Sequence, residues 1–493
     1  MINLNAQWAP DISDLNTGTL KQALNVLPLG NSYGPALSLA TITSSLGATC
    51  VGCYMARNID GSYTLFAGTA SALKKYNQGS DTWTDVTRTV GGAYNVASGQ
   101  YWWFLQSGDD VICGNINDAP QRFTLSSSTN FAALGGSPPV AGAGRVVHGL
   151  IVLSQLSGDP YTVKWQGSTS VTSWTVGTDN AGSQVFTDGG QVIGVSGKET
   201  GFILQQDAVR RMVFQASGPA VFAFERVQGA RGCSAPYSMI DVGDVTFYYG
   251  NGSFNAISGD QTRDIGLDRV NEYFRGLALQ STVVSMVGAV DPRQTRIAWA
   301  FKSISADSST NFDVMLVYDF GASRDKWTQV TIAMDYVAFN GLATLGYTLE
   351  GLDAFGTVDS ITTTFDSSVW QGGVLAFGGF SSGHQLGFFN GSTLEAVIET
   401  AETQLNPPNM AFVDGVTVYG GPSTAMISVG GRDQAYQDVT TTYGPEQAIG
   451  VDGVAPARCD ARYHRTKIRI PAGSTWTQIQ GLDYTPYVNG GGR

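Results

Sequence analysis

Charge is scarce in this chain, and its scarcity sets the first boundaries. Only 14% of the 493 residues are Asp, Glu, Lys or Arg, against about 25% in ordinary globular proteins, a poor match to a charge-rich helical enzyme. Lys and Arg number 28 against 40 Asp and Glu, a net charge of −12, which does not suit a surface that grips a phosphate backbone. There are five cysteines, Cys50, Cys53, Cys113, Cys233 and Cys459. So sparse and odd a set reads as reduced thiols rather than a disulfide framework. Histidine is rarer still, at His148, His384 and His464, so the Cys50-x-x-Cys53 pair lacks obvious companions for a zinc site, and no cofactor is expected. No apolar run approaches the roughly 18 residues of a membrane span, so no membrane insertion is expected. The opening residues lack the basic flank and apolar core of a secretory signal, which suggests synthesis in the cytoplasm.

What is abundant points to β structure. Hydrophobic residues make up 42% and aromatics 11% of the chain, too many for disorder, and there are 62 glycines. Short runs rich in Val, Ile, Thr, Tyr and Phe, such as 62–67, 101–105, 245–249 and 314–318, are cut by turn pairs such as Asp60-Gly61, Asn251-Gly252 and Asn390-Gly391. Both residues of such pairs tolerate the positive φ of a tight hairpin turn. The one helical spacing, Val270, Tyr273, Phe274 and Leu277, follows Asp268, a residue type that can cap a first turn.

Repetition suggests the architecture. A Trp-Thr-x-(Val/Ile) pattern, or one close to it, follows a polar turn at Trp83, Trp174, Trp327 and Trp476. In the first three, an aromatic on the preceding strand (Tyr76, Trp165, Tyr318) faces it across the turn, and Phe123 with Phe131 makes a weaker copy. The spacings fit units of about 40 to 50 residues, the length of a four-stranded propeller blade. The expectation is an all-β protein, a β-propeller of roughly six to eight blades, with these tryptophans packing between blades. Its expected parts are an extended N-terminal arm over 1–45, a first stretch of propeller over 46–335, an inserted crossover over 336–375, and remaining strands over 376–493 that close the propeller or form a platform.

Acid is concentrated in one place. From Asp335 to Asp452 there are thirteen acids and one base, Arg432, and a basic run follows at Arg458, Arg462, Arg465, Lys467 and Arg469. Matches to enzyme motifs fail on context. Gly379-Phe380-Ser381-Ser382-Gly383 fits a nucleophile elbow, yet the residues after it read as another strand rather than the required helix. The stretch Ser196–Thr200 lacks the leading glycine of a phosphate loop. No catalytic residues are assigned.

The N-terminal arm carries Trp8-Ala9-Pro10-Asp11, then Asn25 to Pro28, then Tyr33-Gly34-Pro35. It resembles the opening of the tail nozzle or hub proteins of short-tailed bacteriophages, the packaged-DNA stabilisation family. Similar stretches follow at 63–69 with 83–86, at 347–350 to 370–373, and from Arg462 through Trp476 to Asp483.

The resemblance implies a non-enzymatic virion protein of the tail. It would form a homo-oligomeric ring, typically of six copies, below portal and adaptor proteins. It would continue the channel for passing double-stranded DNA, without reading its sequence, and anchor needle, fibre or tailspike proteins. On this reading the arm (Trp8, Pro10, Asp11, Asn25, Pro28, Tyr33, Pro35) ties neighbouring copies together, and head-to-tail patches close a ring. The acids Asp335, Glu350, Asp353, Asp359 and Asp366 have two expected uses. They line the channel and keep DNA from sticking, or acids of this segment meet the basic run of a neighbour; a solvated face is the plainer use. The alternative function is a glycan-binding or glycan-cleaving propeller of tailspike type, with Trp102, Trp103 and Trp370 as stacking candidates.

Overall fold

The computed structural model describes residues 2–4, 6–13, 18–216, 220–307, 311–321, 325–338, 342–343, 375–434, 441–484 and 487–489. Much of the inserted stretch, with Glu350, Asp353, Asp359, Asp366 and Trp370, therefore lies outside the described residues, as does the glycine-rich tail after 489.

Six consecutive four-stranded antiparallel units make a β-propeller. Their first strands are Cys53–Arg57, Trp103–Ser107, Ala141–Val147, Val192–Gly197, Ile240–Val242 and Val287–Asp291, so a new blade begins every 38 to 51 residues. Within each blade every strand pairs with the next along the chain, through tight turns at most steps and a longer loop before the last strand of blade 3. The turn chemistry is the expected one at Asn251-Gly252, where both residues have positive φ, 51° and 78°.

Six apolar seams account for the closed circle. Phe66 meets Phe123 between blades 1 and 2, and Leu105 and Ile112 meet Ile151 and Leu153 between blades 2 and 3. Val152 and Trp165 meet Val195 and Phe222 between blades 3 and 4, and Leu204 meets Tyr248 and Ile257 between blades 4 and 5. Phe254 lies against Trp299 and Trp327 between blades 5 and 6. Leu65 and Ala67 of blade 1 share the last seam with Ala289, Ala300 and Met315 of blade 6. Among the described residues no blade takes one of its four strands from the far end of the chain, so side-chain packing rather than strand exchange closes the ring.

Of the two uses expected for the strands after 375, they take the second: with the N-terminal segment they build a platform and add no strand to blade 1. Blades 1 to 5 end in outer strands of two to five residues, short enough to limit edge-to-edge pairing. Blade 6 ends in the twelve-residue strand Lys326–Val337, whose long edge is covered twice. Thr19–Leu24 approaches its first half in parallel and continues antiparallel through Ala396–Thr400, Tyr463–Ile470 and Met426–Arg432. Gly378–Ser381 pairs with its second half, followed by Leu386–Thr393 and Leu37–Thr41. The result is one fourteen-stranded sheet joining propeller to platform.

The extended arm of residues 1–45 is thus corrected to strands paired within the same chain. Its weak alternation has a physical reason: Thr19–Leu24 is a central strand with neighbours on both edges, and such strands are not required to alternate. The helix is also shorter than its spacing suggests, Asn271–Leu277. Asp268 does not cap it. The carboxylate of Asp11 accepts the backbone N–H groups of Glu272 and Tyr273 at 2.9 and 2.8 Å.

Candidate functional site

Side chains from the first strands of all six blades line one partly open cavity of about 260 Å³. Three of its polar groups come from alternate blades: Tyr54 from blade 1, Arg145 from blade 3 and Asp241 from blade 5. The guanidinium of Arg145 pairs with Asp241, joining blades 3 and 5. Asp241 is held from behind, because Thr246 Oγ1 donates to it at 2.7 Å and Ser196 Oγ donates to Thr246 at 3.1 Å. Tyr54 stacks on Phe104 of blade 2 with ring centroids 5.9 Å apart. Burial pushes the Tyr54 hydroxyl up to about 12, and the nearby Arg145 charge works against that rise. The tyrosine is therefore a neutral hydrogen-bonding group at ordinary pH.

The second polar assembly is on the platform. In Tyr463–Ile470 the residues alternate between buried (His464, Thr466, Ile468, Ile470) and half-buried (Tyr463, Arg465, Lys467, Arg469), so period two puts three bases on one face. Acids from flanking segments meet them. Arg469 holds Glu446 through Nε at 2.9 Å and Glu395 at 3.2 Å. Arg465 reaches Glu399 at 3.2 Å and Glu402 at 3.4 Å. Arg432 donates to the other oxygen of Glu402 through Nε at 3.0 Å, and Arg458 pairs with Asp414 at 2.8 Å on the exposed surface. Hydrogen bonding to Arg469 holds the Glu446 carboxyl below its ordinary range. The meeting of acidic segment and basic run, expected between neighbours, is made within one chain by Arg458, Arg465 and Arg469. Arg462 is exposed and Lys467 half-buried. Period two was the available signal: it puts Glu395 and Glu399, four apart, on one strand face.

Asp335 is no channel acid. It is 3% exposed, accepts the backbone N–H of Cys50 at 3.3 Å, and pairs with His384 Nδ1. It thereby joins the end of blade 6 to the segment entering blade 1 and to the 381–385 hairpin turn. Burial raises its carboxyl pKa against the opposing effect of His384. The Gly379–Gly383 motif runs from the strand Gly378–Ser381 into that turn, between two paired strands and not before a helix. Cys50 and Cys53 are both buried, and burial pushes the Cys53 thiol up to about 12 and Cys50 well above its ordinary value, so neither is a ready nucleophile. Among the described residues no three His, Cys, Asp or Glu side chains gather to hold a metal, and no helix is long and apolar enough to cross a membrane.

The arm residues are internal. Trp8 is 2% exposed and donates from its indole to Lys21 O, while Tyr33 is fully buried and donates to Ala6 O. Asn25, at φ 56°, ties the two layers together. Its N–H donates to Gln329 O, its amide nitrogen to Glu395 O, and its amide oxygen accepts from Thr331 N, at 2.7 to 2.8 Å. The carbonyl of Pro28 accepts from Arg296, and Pro10 and Pro35 are half-buried.

Of the repeat tryptophans, Trp327 stacks on Trp299 and Trp174 joins the seam of blades 2 and 3. Trp83 opposes Tyr76 but also meets Phe380 of the platform hairpin, and Trp476 packs in the platform core rather than in a blade. Trp102 and Trp103, 3% and 8% exposed, donate their indole N–H groups to Thr69 O and Ala141 O, so both are packed rather than presented.

No family model matches the sequence, and neither does any curated protein. Among solved structures the chain is similar to the N-terminal domain of Nup159, at 8% identity and a TM-score of 0.40, covering 74% of this chain and 98% of that one. It is also similar to BamB from Moraxella catarrhalis, at 10% identity and a TM-score of 0.36, covering 74% of this chain and 95% of that one.

Proposed function

We propose that this β-propeller protein is a structural component of a short-tailed phage virion, a nozzle or hub subunit without enzymatic activity. Copies form a ring, six in number as the resemblance implies, below portal and adaptor, continuing the DNA channel and offering surfaces to needle or fibre proteins. The observation that carries this reading is the fourteen-stranded sheet that fuses blade 6, the N-terminal segment and the C-terminal strands. A subunit in a DNA conduit must transmit load without hinging, and a continuous hydrogen-bonded sheet between propeller and platform supplies that stiffness. With Asp335 buried, the channel-lining use of the acidic stretch rests on Glu350, Asp353, Asp359 and Asp366.

The test is the mass of the purified chain in solution, alone and with portal or adaptor rings, followed by particle images. The expected result is a closed ring with a hole wide enough for duplex DNA. A chain that remains monomeric with every portal and adaptor ring tried overturns the proposal.

A further inference from the structure

We infer that the axial cavity of the propeller is a binding site for one sugar ring, either a free monosaccharide or the terminal residue of a glycan. The inference stands apart from the nozzle reading, since it concerns the interior of one subunit.

Three observations select this chemistry. The cavity, at about 260 Å³, has room for one small ring. Its charges cancel: Arg145 and Asp241 are paired, so it suits a neutral ligand, and an ionic one would leave one of these partly buried groups mismatched. Its walls combine aromatic surface with a few fixed polar groups, the usual composition of a small-molecule site. Tyr54 and Phe104 both line the cavity and are half-buried, offering apolar surface to the C–H face of a sugar. Asp241 accepts from ligand hydroxyls, Arg145 donates to them, and the Tyr54 hydroxyl can do either. The Ser196–Thr246–Asp241 chain orients the carboxylate before any ligand arrives, which lowers the ordering cost of binding.

The experiment titrates the intact chain with a panel of neutral monosaccharides, their methyl glycosides and short oligosaccharides. Ligand-observed saturation-transfer NMR and tryptophan fluorescence are the readouts, since Trp102 and Trp103 line the cavity. At least one sugar is expected to bind, and Asp241→Asn should weaken it by about tenfold or more, as loss of a charged hydrogen-bond acceptor does. Because Asp241 also pairs with Arg145, two milder variants guard against misfolding. Tyr54→Phe should weaken binding by a smaller factor, and Ala143→Leu, which fills the cavity beside Arg145, should abolish it with the thermal transition retained. Competition by oligosaccharides identifies a glycan end as the source, and binding of the free sugar alone identifies a monosaccharide. No response from any sugar at millimolar concentrations, or binding untouched by Ala143→Leu, overturns the inference.

Discussion

In the propeller each strand finds its partner a turn away, whereas in the platform Asn25 donates to the carbonyl of Glu395, 370 residues distant. The two regions share an antiparallel vocabulary and differ in how far the chain must travel to use it. Local hairpins cost little loop-closure entropy, so each blade can form from its own segment and then pack on its neighbours. The platform must wait for both ends of the chain. Its charges reflect the same difference, since Arg432, Arg465 and Arg469 join segments far apart in sequence and only pair once those strands are aligned.

Removing residues 1–24 is the strongest test of that division. Strands Ala396–Thr400, Met426–Arg432 and Tyr463–Ile470 should lose hydrogen-exchange protection while blades 1 to 5 keep theirs; loss of protection across all six blades would show that the propeller depends on the platform. The next test separates buried from exposed pairs. Arg432 and Glu402 are 11% and 5% exposed, so Arg432→Ala should cost about 2 to 3 kcal/mol by urea denaturation. Arg458 and Asp414 are 69% and 44% exposed, so Arg458→Ala should change stability by less than about 1 kcal/mol.

A further expected effect is a pH dependence from the platform. His464 is fully buried, beside the backbone of Ala411 and Cys459. Burial holds its pKa below the ordinary value. The unfolded chain therefore takes up the proton first, and the platform should lose stability as the pH falls below about 6.5, with a slope of at most about 1.4 kcal/mol per pH unit. His464→Phe should flatten that decline in a thermal melt followed between pH 7 and 5; an unchanged slope would assign the loss to other groups.

Trp83, Trp174 and Trp327 could be found in the sequence because each sits on or just before the last strand of a blade, and a repeat preserves that environment. Trp476 shows the limit of the same signal: the dipeptide recurs where an aromatic fills a different core. Blades 4 and 5 lack the tryptophan and were invisible as copies. In the arm, Trp8 and Tyr33 drew attention as large residues in a segment of weak alternation, but no local pattern says which distant strand will cover them. Asp335 looked like one acid among thirteen, and only the fold places it under His384 and Cys50.

By itself the sequence determined the β character, the hairpin turns and the approximate length of the repeating unit, because each depends on residues within one or two turns of each other. The tertiary structure decided the number of blades, the fate of the two chain ends, the pairing of acids with bases, and the meeting of Tyr54, Arg145 and Asp241 on the axis. Those depend on which surfaces remain uncovered after the local structure has formed, and burial and strand-edge pairing settle that only when the whole chain is present.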